Sequence, residues 1–183
     1  MILTETLRKA SKLFPQKQAI VCEGKRWTYR AFCDRIERFS LSLLKLGLRK
    51  GDKVAILHPN CHYFLEAYYG ITQIGAISVP LNFRLSSREI AFILQDSESR
   101  ILVADPMFAK VIDPIRREIQ GIEKIIWTGE ERVEKEPRDV SYESLVAQPR
   151  SSSLPEVPIQ DEDVAQIYYT SGTTGRPKGV LLS

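Results

Sequence analysis

Hydrophobic and polar positions along the chain follow two periods, and each change of period marks an element. Residues 4–14 place Leu7, Ala10 and Leu13 at helical spacing before Pro15, which predicts a short surface-packed helix. Gln18-Ala19-Ile20-Val21-Cys22 and Arg26-Trp27-Thr28-Tyr29 are extended runs separated by Glu23-Gly24-Lys25, the pattern of a hairpin with glycine in its turn. Thr28 is then placed to cap a helix in which Phe32, Ile36, Phe39, Leu43 and Leu46 recur at alternating steps of four and three. Gly47 supplies its stop.

The pattern changes at Lys53-Val54-Ala55-Ile56-Leu57, a short β-prone run that suits a strand buried on both faces. A helix is predicted from Pro59, with Phe64, Ala67, Tyr68, Ile71 and Ile74 leading to Gly75, and Ala76-Ile77-Ser78-Val79 as the next strand. Ser86 and Glu89 have capping-box spacing and open a helix through Ile90, Ile93 and Leu94, followed by the strand Ile101-Leu102-Val103-Ala104. Residues 106–120 read as a further helix and Lys124-Ile125-Ile126-Trp127 as a further strand. Residues 129–139 read as a solvated, charged loop, 142–147 as a short helix and 148–158 as a surface linker. Strands alternating with helices predict an α/β fold, a mostly parallel, doubly wound sheet with flanking helices. Its parts are an N-terminal helix, hairpin and amphipathic helix (1–52), a β-α-β region (53–147), a linker (148–163) and a strand–loop–strand unit (164–183), all within one incomplete domain.

Composition narrows the function classes. With 43% hydrophobic and 27% charged residues over 183 positions the chain can bury a core, and 26 basic against 23 acidic residues, +3 net, give no basis for expecting nucleic-acid binding. The N-terminus meets charge before any signal-like apolar stretch, and no apolar run reaches membrane-spanning length, so a cytoplasmic protein is expected. Cys22, Cys33 and Cys61 are an odd number with no C-x-x-C pair and read as small, partly buried hydrophobes. His58, Cys61 and His62 gather three metal-ligand types, but a structural zinc site needs a second pair and the chain has only two histidines. Packing at a strand-to-helix junction is expected there, with no metal site.

The densest chemistry lies between the β-prone runs Val164-Ala165-Gln166-Ile167-Tyr168-Tyr169 and Gly179-Val180-Leu181-Leu182. Thr170-Ser171-Gly172-Thr173-Thr174-Gly175-Arg176-Pro177-Lys178 combines residue types that suit a polyphosphate. Gly172 and Gly175 permit positive φ and convergent amides; Thr170, Ser171, Thr173 and Thr174 add hydroxyls; Lys178 and Arg176 add positive charge; Pro177 stiffens the turn. A Walker loop would need glycine-lysine-serine or -threonine running into a helix, whereas Arg176-Pro177 follows Gly175 and a β-prone run follows Lys178. A ligand-free hairpin turn is the competing reading.

The run Tyr169-Thr170-Ser171-Gly172-Thr173-Thr174-Gly175-Arg176-Pro177-Lys178-Gly179 resembles the AMP-binding signature of the acyl-adenylate-forming enzymes, which include acyl-CoA synthetases, peptide-synthetase adenylation domains and firefly luciferase. Trp27-Thr28-Tyr29-Arg30, Gly51-Asp52-Lys53-Val54-Ala55-Ile56 and residues 70–82 resemble that family's earlier motifs in the same order, so the resemblance spans nearly the whole chain. Leu81-Asn82-Phe83-Arg84-Leu85-Ser86 is similar to the fatty-acyl and aryl CoA ligases. The resemblance implies part of the large N-terminal domain of such an enzyme, ending in the phosphate-loop hairpin. It also implies ATP, Mg2+ and CoA as cofactor and co-substrates, a carboxylic and most simply a fatty acid as substrate, and a two-step ligation through an acyl-adenylate.

The family's later motifs, including its magnesium-holding glutamate, ribose-binding aspartate and catalytic lysine, have no counterpart here, and the chain stops within the apolar run Val180-Leu181-Leu182-Ser183. No catalytic residue and no metal ligand is therefore assigned. Asp161, Glu162 and Asp163 read as solvated residues leading into a strand. The expectation is about the first third of a two-domain acid–thiol ligase, inactive alone, acting on small molecules, with a homodimer left open. An aryl-acid or other carboxylate–CoA ligase and a non-catalytic nucleotide-binding module are the alternatives.

Overall fold

The computed structural model describes residues 3–129, 136–149, 153–170 and 177–183. Helix α1 (Leu3–Leu13) leads into the antiparallel hairpin β1 (Gln18–Cys22) and β2 (Lys25–Thr28). Glu23 and Gly24 both have positive φ, +49° and +78°, the combination that lets a two-residue turn follow the strands' own twist. Helix α2 (Tyr29–Lys45) starts where Thr28 Oγ1 accepts the Ala31 N–H at 3.2 Å, and Phe32, Ile36, Phe39 and Leu43 form its buried stripe as predicted. Each such side chain, fully buried, contributes about 1.5–3 kcal/mol.

Strand β3 (Lys53–Leu57) begins the main sheet, followed by α3 (His62–Gln73), β4 (Ile77–Pro80), α4 (Ser87–Asp96) and β5 (Ser99–Ala104). The capping box at α4 is complete: Ser86 Oγ accepts the Glu89 N–H, and the Glu89 carboxylate accepts the Ser86 N–H at 2.8 Å. After the single-turn α5 (Ala109–Ile112) come β6 (Lys124–Trp127), β7 (Asp139–Ser141), α6 (Tyr142–Val146), β8 (Gln166–Thr170) and β9 (Lys178–Leu182). Strand order is β7-β6-β5-β3-β4-β8-β9, every pair parallel except β8 with β9.

Both faces of this sheet are covered, and side-chain alternation along each strand feeds two separate cores. Ala55, Leu57, Val79, Leu102, Ala104, Ile125 and Trp127 pack with α4 and the 106–122 segment. Val54, Ile56, Ile101, Val103 and Ile126 pack on the other side with α2, α3 and α6. The doubly wound α/β architecture is the one predicted.

Three local readings need correction. The helix predicted from Pro59 begins at His62, because Cys61 is extended (φ −158°, ψ −174°) and the first helical bond runs from the Leu65 N–H to the Cys61 carbonyl. Its buried face is also rotated: Phe64 and Tyr68 are only half-buried, while Glu66 is completely buried. Arg35 makes this tolerable by a two-pronged contact with Glu66, Nε–Oε1 2.7 Å and Nη2–Oε2 3.0 Å, and the Tyr142 O–H donates to the same carboxylate at 2.8 Å.

The single helix predicted over 106–120 is instead three short pieces, 3-10 turns at Pro106–Phe108 and Asp113–Ile115 around α5. Pro114 has no N–H to continue a helical ladder. Where the sequence suggested a solvated loop up to residue 139, Asp139 opens a strand and is buried, held by Arg116 through bonds of 2.9 and 3.1 Å. Residues 130–135 of that charged stretch lie outside the described residues.

Helices α2 and α3 meet at Gly70. A Cβ there would lie 2.7 Å from Cδ1 of Phe39, whose ring is completely buried and stacked 4.7 Å from Tyr142, so it has nowhere to swing. Gly70→Ala is expected to lower the unfolding free energy by about 1–3 kcal/mol despite its better helix propensity. Equilibrium urea denaturation measures this.

Candidate functional site

In a parallel sheet the strands' carboxyl ends all open on one edge, and open α/β folds place their ligands there. Here that edge gathers His58 after β3, Asn82 after β4, Asp105 after β5, Thr128 after β6 and Thr170 at the end of β8. The loop that the sequence singles out leaves from this edge.

The hairpin is regular as far as it is described. β8 and β9 pair antiparallel with Gln166 opposite Leu182, Tyr168 opposite Val180, and Thr170 opposite Lys178. Side chains of opposed residues share a face, so Thr170 and Lys178, both exposed, stand side by side at the mouth of the loop. Of the residues that the sequence singles out in this loop, the structure thus brings Thr170 and Lys178 together. Ser171, Gly172, Thr173, Thr174, Gly175 and Arg176 lie outside the described residues.

On the opposite face Tyr169 is paired with Gly179. A Cβ at Gly179 would lie 2.9 Å from Ile167 and 3.3 Å from the Tyr169 ring, so glycine is required for the ring to lie across the strand. The Tyr169 O–H donates to Asp96 Oδ2 at 2.6 Å, an interaction that the sequence reading missed. Nothing in the sequence links the β-prone run 164–169 to the end of α4. Burial and the neighbouring carboxylate push the Tyr169 phenol well above its ordinary range, so it remains a donor.

Asp163, expected to be merely solvated, holds Lys50 at 2.5 Å and accepts the Gln160 N–H at 2.7 Å. Lys50 Nζ also donates to the Pro158 carbonyl at 2.8 Å, which ties the segment preceding β8 to the turn before β3.

The histidine-cysteine cluster at the end of β3 does not assemble as three ligands. His58 Nδ1 is 3.3 Å from Cys61 Sγ, and its Nε2 lies 2.8 Å from Thr128 Oγ1 and 3.4 Å from Asp105. His62 stacks instead on Trp27, with centroids 4.3 Å apart, and its Nδ1 is buried without a partner among the described residues. Among the described residues no group of three His, Cys, Asp or Glu side chains is arranged to hold a metal ion. Burial raises the Cys61 thiol and lowers His58, so both are neutral near pH 7.

Residues 7–183 match the sequence family described as AMP-binding enzyme. Over 181 residues the chain is 36% identical to 4-hydroxybutyrate–CoA ligase 2 of Metallosphaera sedula, covering 96% of this chain and 33% of that protein. The crystal structure of the anthranilate CoA ligase AuaEII in complex with anthranoyl-AMP superposes with a TM-score of 0.88 at 27% identity, over 97% of this chain and 34% of that one. A long-chain-fatty-acid-CoA ligase of Archaeoglobus fulgidus gives 0.86 at 28% identity, over 100% and 37%. The parallel sheet with its antiparallel β8–β9 hairpin is the fold of the N-terminal part of adenylate-forming enzymes, and the chain belongs to the AMP-binding enzyme family. It spans about a third of the length of the curated relatives it matches. No helix among the described residues is long and apolar enough to cross a membrane.

His62 carries a pH dependence. Burial, then Arg35 and Lys25, lower it from the ordinary 6.5 to about 4. An unfolded chain binds this proton near 6.5 while the native one refuses it until about 4, so stability is complete at neutral pH and falls between those values. His62→Phe keeps the stack on Trp27 and is expected to remove up to about 3 kcal/mol of that fall. Urea midpoints at neutral pH and at about pH 4.5 test it.

Proposed function

We propose that this chain supplies the polyphosphate-holding hairpin of an ATP-dependent carboxylate–CoA ligase. The observation that carries the reading is the pairing of Thr170 with Lys178 at the carboxyl edge of a parallel sheet, flanking the hydroxyl, glycine and arginine residues 171–176. A hydroxyl donor and an ammonium carried on paired strand positions suit the β- and γ-phosphates of a nucleotide. The exposed lysine keeps its charge mobile on a long stem, which suits a leaving group that changes position as it departs.

In this reading a substrate carboxylate oxygen attacks the α-phosphorus of MgATP, the bond to the β-phosphate oxygen breaks, and pyrophosphate carries away the negative charge. The CoA sulfur then attacks the acyl carbon as the thiol proton passes to solvent, and AMP leaves with the bonding pair. Lys178, Thr170 and the loop amides neutralise charge that grows on the departing pyrophosphate, so they act more strongly on the transition state than on bound ATP. The magnesium ligands and the thiolation residues are assigned to no residue of this chain.

The acid is proposed to be a fatty acid. Leu81-Asn82-Phe83-Arg84-Leu85-Ser86, at the carboxyl end of β4, supports it by its resemblance to fatty-acyl ligases, as does the Archaeoglobus neighbour. That segment is equally similar to aryl ligases, and the anthranilate ligase neighbour favours an aromatic acid as the second reading. A panel of fatty, aryl and hydroxy acids in a pyrophosphate-release assay separates them.

In the longest natural polypeptide containing this chain, Lys178→Ala is expected to cut acid-dependent pyrophosphate release from ATP by about 100-fold and to weaken ATP binding. Unchanged turnover overturns the reading. The 183-residue chain by itself is expected to release no pyrophosphate from ATP and a fatty acid, as the same assay on the purified chain would report.

A further inference from the structure

The sheet holds the phosphate-loop hairpin less firmly than its position suggests. Strand β4 turns the N–H groups of alternate residues toward β8: Ser78 donates to the Ala165 carbonyl at 3.0 Å, whereas Ile77 and Leu81 donate to the β3 side. The next residue on the β8 side is Pro80, which has no N–H to give. Accordingly the β4–β8 ladder pairs Ser78 with Gln166 and no further position. The end of β8 that enters the loop projects past this ladder, with the exposed strand β9 on its other side.

Gln166 Nε2 also donates to the Tyr68 hydroxyl beside the ladder, and a further attachment meets the hairpin where the ladder has stopped. Tyr169 lies against Ile167 and across Gly179, and its O–H reaches Asp96 at 2.6 Å. Asp96 is the last residue of α4, a helix fixed at its start by the capping box and along its length by buried Ile90, Ala91, Ile93 and Leu94. A carboxylate in the last turn of a helix opposes the helix dipole, and this turn contains no basic residue to offset it. Local helix stability therefore gives no reason for an aspartate there, and the hydrogen bond to Tyr169 does. Thr170, the next residue of the strand, projects from the opposite face beside Lys178.

We propose that Tyr169 and Asp96 are positioning residues that set where the hairpin presents Thr170 and Lys178, and that the pair acts through this placement on nucleotide binding and adenylation. The inference rests on the phosphate reading of the hairpin given above. A rigid helix end, one hydrogen bond and one aromatic ring fix the strand immediately before the loop, and an error of an ångström there is felt by every group that follows.

The test uses the longest natural polypeptide containing this chain and follows acid-dependent pyrophosphate release. Tyr169→Phe keeps the ring over Gly179 and removes only the hydroxyl; Asp96→Ala removes its acceptor. Each is expected to lower kcat/KM for ATP by about tenfold through both a higher KM for ATP and a lower kcat, with KM for the acid and the melting midpoint unchanged. The double variant is expected to be no worse than either single one, and Asp96→Asn, which retains a carbonyl acceptor, to recover most of the loss. Unchanged ATP kinetics in Tyr169→Phe, or additive losses in the double variant, overturns the proposal. So does a fall confined to kcat that tracks a lowered melting midpoint. Lys178→Ala, measured in parallel, separates the two readings. If it is impaired while Tyr169→Phe is normal, only the positioning role fails; if it is normal, the phosphate reading fails and takes this one with it.

Discussion

The requirement that β3 and its neighbours bury both faces governs the rest of the molecule. Val54 and Ile56 point to one core, Ala55 and Leu57 to the other, and all four are completely buried. A parallel strand with both faces apolar needs helices on both sides, and each crossover returns the chain to the same starting edge. Polar residues are thereby displaced to the strand ends. That is why His58, Asp105, Thr128 and Thr170 gather at one edge although they are far apart in sequence.

This arrangement divides the molecule into a buried frame and an exposed hairpin at its edge. The frame includes buried ionic contacts that the apolar patterning does not announce. Arg35 bridges Glu66 and Glu143, and Arg116 grips Asp139; each ties elements distant in sequence at a point where a lone buried charge would be costly. The hairpin, by contrast, has a ladder to the sheet that Pro80 cuts short, and beyond that ladder Tyr169 bonds to Asp96. A strand held by a short ladder, by the Gln166–Tyr68 and Tyr169–Asp96 hydrogen bonds and by buried Ile167 can be fixed in direction while its end stays exposed.

Long periodic elements were legible in the sequence because their periodicity is the imprint of burial. The α2 stripe, the α4 capping box and the β1–β2 hairpin match the structure closely. Local pattern and structure part where a local signal competes with a longer-range one. Pro59 looked like a helix start, but the chain first makes an extended residue at Cys61; 106–120 looked helical until Pro114 interrupted it. Asp139 looked solvated because nothing in its neighbourhood names Arg116, 23 residues away, as its partner.

For the site, sequence alone determined the chemistry on offer: the glycines, hydroxyls and cations of residues 170–178 and their likeness to the AMP-binding signature. It also determined the order of strands and helices, since a period of two or of 3.6 residues is a property of the local chain. Tertiary structure decided which residues stand together. That Thr170 faces Lys178 depends on hairpin register, that His62 leaves His58 and Cys61 for Trp27 depends on where α3 begins, and that Asp96 meets Tyr169 depends on how α4 packs across the sheet. These are contacts between segments, fixed only when both faces of the sheet are covered, and no local pattern encodes them.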